Sequence, residues 1–170
     1  MKRVIYCFLQ LLLCPALICA CQKTPPDRAA CFAQPFTAEI NGEINGTPFT
    51  AKIVGSGKSR AFSICYLTPE ILENVALYAS LKADGTPQGE VMLTRGDLTV
   101  SQSGEAMKGL LLPLTALVSL ANAEAATVQR NANGYAYTFS DASALATDEN
   151  GIPKSLSAQN LSYQIIWWEQ

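Results

Sequence analysis

The chain has 170 residues, 49% of them apolar and only 15% charged, with 12 Lys plus Arg against 14 Asp plus Glu and a formal net charge of −2. A typical soluble domain is about 25% charged, and disorder needs low hydrophobicity with high charge, so a chain disordered throughout is excluded. The sequence has no His, which removes most Ser-His-Asp hydrolase chemistry and most catalytic zinc sites. No run of Lys and Arg marks a nucleic-acid binder.

Lys2 and Arg3 open the chain, and an apolar run follows from Val4 to Ala20. A positive start, a short apolar stretch and a small residue before a cleavage point make a secretory signal. A membrane-spanning helix needs roughly 17–25 apolar residues, and this run is interrupted by Gln10 and Pro15. The run ends Leu17-Ile18-Cys19-Ala20-Cys21. That segment resembles the lipobox of bacterial lipoproteins, with Ile18 and Ala20 at the third and first positions before the cysteine. The resemblance implies cleavage after Ala20 and acylation of Cys21 with chains such as palmitate. The protein would then be exported and held on the extracytoplasmic face of a bacterial membrane. Residues 1–20 are read as a lipoprotein signal peptide, 21–35 as a lipidated N-terminus and flexible tether containing Pro25, Pro26 and Pro35, and 36–170 as one domain.

The chain has six cysteines. Cys7, Cys14 and Cys19 leave with the signal, and Cys21 takes the lipid. Cys31 and Cys65 remain, and two readings stay open. They pair outside the cytoplasm, or Cys65 is a small buried hydrophobe and Cys31 is free.

From Phe36 the pattern has period two. Phe36, Ala38, Ile40 and Ile44 alternate with Thr37, Glu39, Asn41 and Glu43, as in a half-buried strand. Asn45-Gly46 is a hairpin turn, because both residues tolerate positive φ. Alternation resumes at Phe49–Ile53, Phe62–Tyr66 and Val75–Leu81, then over 90–101 with a break at Arg95-Gly96-Asp97. About five antiparallel strands thus come in succession, with one helical turn or loop over Pro69–Asn74.

The pattern then changes. Ser103 is placed to cap a helix running from Glu105 toward Asn122, and Pro113 should break or kink it. Its leucines lie on almost every side, so it should be buried on more than one face. Strands return at 126–130, 135–140, 154–158 and 161–168. In the last of these, Leu161, Tyr163, Ile165 and Trp167 alternate with Ser162, Gln164, Ile166 and Trp168.

The fold class expected is α+β: a curved antiparallel sheet or incomplete β-barrel of about eight or nine strands wrapping one kinked apolar helix. This order, with the turn Asp148-Glu149-Asn150-Gly151-Ile152-Pro153, resembles the LolA/LppX-like lipoprotein carriers. The resemblance implies an apolar cavity for acyl chains. Leu110, Leu111, Leu114 and Leu117 are the candidate lining, and binding would be driven by about 25 cal/mol per Å² of buried apolar surface. The leading expectation is therefore binding or transfer of a lipid or other apolar ligand without catalysis. The alternative is an interaction lipoprotein that displays a sheet or loop surface to a cell-envelope partner. No catalytic motif, cofactor or metal site is expected. Gly55-Ser56-Gly57-Lys58-Ser59 lacks the spacing of a phosphate loop and reads as a hairpin loop.

Overall fold

The computed structural model describes residues 24–170. Residues 1–20, read as a signal peptide, and Cys21, read as the lipidation site, lie outside the described residues. Eleven strands form one antiparallel sheet: β1 (Pro35–Ile44), β2 (Thr47–Ser56), β3 (Ala61–Thr68), β4 (Val75–Ser80), β5 (Glu90–Arg95), β6 (Leu98–Ser103), β7 (Thr127–Asn131), β8 (Gly134–Thr138), β9 (Ala144–Thr147), β10 (Pro153–Ala158) and β11 (Leu161–Glu169). Among the described residues there is one α-helix, α1 (Lys108–Asn122), which links β6 to β7. Short 3-10 turns cover Arg28–Phe32, Gly57–Ser59 and Glu70–Leu72.

The strand order is β6-β5-β4-β3-β2-β1-β11-β10-β9-β8-β7. Successive strands lie side by side, except that β1 pairs with β11 while β6 and β7 end at opposite edges. This corrects the expected incomplete barrel of eight or nine strands wrapping a helix. The sheet is open, and both edge strands are exposed along their whole length. The described residues are mostly antiparallel sheet, with α1 packed on one face. The strand that the sequence hid is β9, Ala144-Leu145-Ala146-Thr147. It has only four residues, two of them alanine, a residue depleted in strands.

One face of the sheet carries the core. Ile40, Ala51, Ile53, Ile64, Tyr66 and Leu77 are wholly buried there, and Leu111, Leu114 and Leu117 of α1 are wholly buried in the same core cluster. Each large side chain contributes about 1.5–3 kcal/mol by leaving water. The helix begins at Lys108, three residues later than the sequence places it, and it continues through Pro113. Proline has no N–H to give the carbonyl one turn back, and its ring crowds that turn. Two tyrosines from the sheet bond to carbonyls beside it. Tyr66 Oη donates to Leu110 O at 2.7 Å and Tyr163 Oη donates to Pro113 O at 2.9 Å.

The last strand departs from simple alternation. Glu39 of β1 pairs with Trp167, but Ile40 pairs with Ile165, so Ile166 is an extra residue. This β-bulge reverses the phase of the strand end. Ile166 and Trp167 are both exposed, and Trp168 turns inward to stack on Phe36, with ring centroids 4.2 Å apart and planes 4° from parallel. Trp167 therefore does not share the face of Leu161, Tyr163 and Ile165.

The packed domain also starts earlier than residue 36. The Asp27 side chain accepts from Ala29 N at the start of the first 3-10 turn, and that turn buries Cys31 and Phe32. Phe32 meets Phe36, Phe62 and Trp168 with ring centroids 5.6, 6.1 and 6.4 Å away. The stretch read as tether up to residue 35 is thus partly domain.

Candidate interaction surface

Three of the four candidate lining leucines do not line an opening. Leu111, Leu114 and Leu117 have no accessible surface, so no void the size of a water molecule touches them. Leu110 is half-buried and packs against the same core. The tyrosine hydroxyls that reach α1 are buried with it. Burial raises the pKa of the Tyr66 and Tyr163 phenols well above the ordinary tyrosine value, which keeps both as neutral donors.

Cys31 and Cys65 are both free. Cys31 sits in the core on the helix side of the sheet, where its Sγ donates to Arg28 O at 3.0 Å. Burial pushes its thiol up to about 12. Cys65 alternates with the buried Ile64 and Tyr66 of β3, so it points to the opposite face. The sheet itself separates the two thiols.

That opposite face holds the largest groove described, of about 620 Å³. It runs across β8, β9, β10, β11 and β1. Strand register explains its shape. Gln164 lies beside Asn41 on one side and Ser155 on the other, Ser155 beside Ala146, and Ala146 beside Ala136. A second row joins Glu43, Ser162, Ser157 and Ala144. Alanine and serine in both rows leave the backbone shallowly covered, and Ile166 of the bulge stands at the rim. The groove therefore combines an apolar floor with amide, hydroxyl and carboxylate groups. It holds no paired nucleophile and base. No group of three or more His, Cys, Asp or Glu side chains among the described residues could hold a metal ion.

Farther along the same face, Val54, Tyr78 and Met92 are exposed. They lie in one cross-strand row with Ser63 between Val54 and Tyr78. They line a second groove of about 420 Å³. The sequence concealed this surface because its residues are the polar-side positions of each strand. Only register shows that small residues gather on one half of the sheet and apolar ones on the other.

At the start of the described chain, Arg28 is clamped against the helix end. Its guanidinium donates to Ala123 O and lies 4.3 Å from the Tyr137 ring centroid and 5.3 Å from that of Phe139. A cation at the C-terminal end of a helix complements its dipole. Beside it, the Asp148 carboxylate accepts from Asn150 N at 2.9 Å and Ile152 N at 3.0 Å, which shapes the acidic turn. Gly151, with φ +85°, lets Pro26 pack on that turn. An added Cβ would fall 3.2 Å from Pro26 Cβ.

No family model matches the chain, and no curated protein matches it. A crystal structure of an uncharacterized conserved protein from Thermus thermophilus has a similar fold, with a TM-score of 0.54 and 13% identity over 85% of this chain and 83% of that one. At that identity the likeness concerns the fold alone.

Proposed function

We propose that the protein is a membrane-anchored extracytoplasmic lipoprotein that works without catalysis, by binding an envelope protein on the open face of its sheet. The anchor rests on the lipobox-like segment ending at Cys21. The choice of partner binding over lipid carriage rests on one observation. Leu111, Leu114 and Leu117 are wholly buried in the core, whereas a small-residue groove of about 620 Å³ lies open on the other side of the sheet. An acyl chain entering beside Leu114 would have to displace packed side chains, and overpacking a dense core is itself unfavourable by about 1–3 kcal/mol. The exposed groove takes a partner at no such cost, and a neighbouring row of exposed Val54, Tyr78 and Met92 extends the apolar area.

The test places a photo-crosslinking residue at Gln164, in the groove, and at Asp97, in the β5–β6 turn, in the anchored full chain on living cells. A discrete adduct from Gln164 and none from Asp97 is the expected result. A native mass spectrum of the extracted protein carrying a stoichiometric lipid, with no adduct at Gln164, would return the carrier reading to first place.

A further inference from the structure

The polar rim at which the described chain begins gathers three exposed cations, Lys58, Arg60 and Lys82, at one corner. Residues 26–33 lie along this rim. Pro26 touches the turn at Gly151, and Ala29 and Phe32 line a groove of about 260 Å³ with Lys58 and Arg60. Arg60 reaches the next loop through its carbonyl, which accepts from Leu81 N at 3.1 Å. Lys58, Arg60 and Lys82 then share a second groove of about 570 Å³. All three are exposed, and none makes an ion pair among the described residues. Asp84, two residues from Lys82, feels its charge without forming an ion pair, and its carboxylate accepts from Thr86 N at 2.9 Å and Thr86 Oγ1 at 2.6 Å. The other cations of the rim are engaged: Arg28 at the helix end, Arg130 with Glu149 at 3.7 Å and Lys154 with Asp148 at 3.6 Å.

We infer that this rim rests on the membrane bearing the anchor, with Lys58, Arg60 and Lys82 contacting the phosphate headgroups of anionic phospholipids. The inference rests on the reading that Cys21 is lipidated. The docked Pro26 follows Cys21 by five positions. At about 3.3–3.6 Å per residue that stretch reaches less than roughly 20 Å even when extended. The anchor therefore holds this rim, and not the opposite one with its Asn45–Gly46 turn, near the bilayer. Basic residues near an anionic surface each add about 1 kcal/mol of attraction, or roughly fivefold in occupancy. That is weak for a free protein and sufficient to orient a tethered one. The arrangement also directs the two grooved halves of the sheet sideways from the membrane, open to a partner.

The test uses the full chain produced and processed in a bacterial host. It is reconstituted into vesicles of phosphatidylcholine, or of phosphatidylcholine mixed with phosphatidylglycerol. Flotation with the neutral vesicles reads the anchor. Amide hydrogen exchange over 57–60 and 80–84 reads the rim, with 44–47 as the reference. Exchange at the rim should slow on the order of tenfold on the anionic vesicles relative to the neutral ones, with 44–47 unchanged. The combined Lys58→Glu, Arg60→Glu and Lys82→Glu variant should lose that slowing, and Lys82→Gln alone should lose part of it. Normal flotation with equal rim exchange in both lipids overturns the orientation and leaves the anchor standing. Failure to float overturns the anchor and the orientation with it.

Discussion

The hydroxyl of Tyr163, on β11, donates to the backbone carbonyl of Pro113 inside α1, 2.9 Å away and buried. Tyr66 of β3 does the same for Leu110 O. Together they fix a proline-containing helix to a sheet that it crosses. Neither bond replaces the one the proline forfeits, whose acceptor would be Gly109 O, but the two hold the helix to the sheet on that turn and the next.

Tyr163→Phe keeps the ring and deletes only this donor. A neutral buried hydrogen bond of this kind contributes about 1 kcal/mol net. Urea unfolding of the Phe variant should show a lower midpoint with an unchanged slope. An equal or higher midpoint would mean that the hydroxyl contributes nothing to holding α1.

Alkaline instability should follow from the same burial. Burial raises the folded-state pKa of Tyr66, Tyr163 and Cys31 above their unfolded values of 10.0, 10.0 and 9.0. The unfolded chain therefore gives up these protons first, and stability falls as pH rises. The loss begins near pH 9 with Cys31, whose folded value is about 12, and steepens above pH 10 as the tyrosines join. Each group contributes a slope of up to about 1.4 kcal/mol per pH unit. Denaturation midpoints across about pH 7–11 check this, and Cys31→Ala should remove the earliest part of the decline. A flat profile over that range would refute it.

Gly55 lies opposite Phe36 in the β1–β2 pair, and the ring covers it. A Cβ at Gly55 would overlap Phe36 Cε1. Gly55→Ala should push the Phe36 ring off Trp168, costing about 1–3 kcal/mol as overpacking does. Trp168 serves as the reporter, through a shift in its fluorescence and near-ultraviolet dichroism. An unaltered Trp168 signal in the folded variant would show that the stack does not depend on the glycine.

Arg28 joins two elements that the sequence holds far apart, the first 3-10 turn and the end of α1. Arg28→Ala removes a helix-end bond and a cation on two rings, effects of about 0.3–1 and 0.5–2 kcal/mol. Arg28→Lys keeps the charge but not the planar fork, so it should recover less than about half of the loss. Thermal unfolding of the three proteins checks this ranking. Equal stability of the Lys variant and the parent would show that charge alone is at work.

The edge strand β6 is exposed throughout, with Leu98 and Val100 uncovered and no Lys or Pro along it. Such an edge invites pairing with another strand. Val100→Lys should lower concentration-dependent self-association in light scattering while changing stability by less than about 0.5 kcal/mol, as surface substitutions do. Unchanged association would acquit the edge.

Local structure was legible in the sequence itself. The alternation from Phe36, the Asn45-Gly46 turn and the leucine-rich stretch each name their element, because periodicity and turn chemistry act between near neighbours. The export signal and the lipidation expected at Cys21 are likewise readings of sequence. Long-range contacts settled the rest. Closure of the sheet depends on whether β6 and β7 meet, and no local pattern carries that. Trp167 and Trp168 exchanged faces because one extra residue, Ile166, fits opposite Glu39 and Ile40, and a bulge depends on a partner strand. The leucines of α1 are core because side chains from distant strands, Tyr66 and Tyr163 among them, form one buried cluster with them. The cations Lys58, Arg60 and Lys82 form no run in the sequence. They meet because β3 and β4 pair, and pairing between strands is a long-range contact that a linear pattern does not encode.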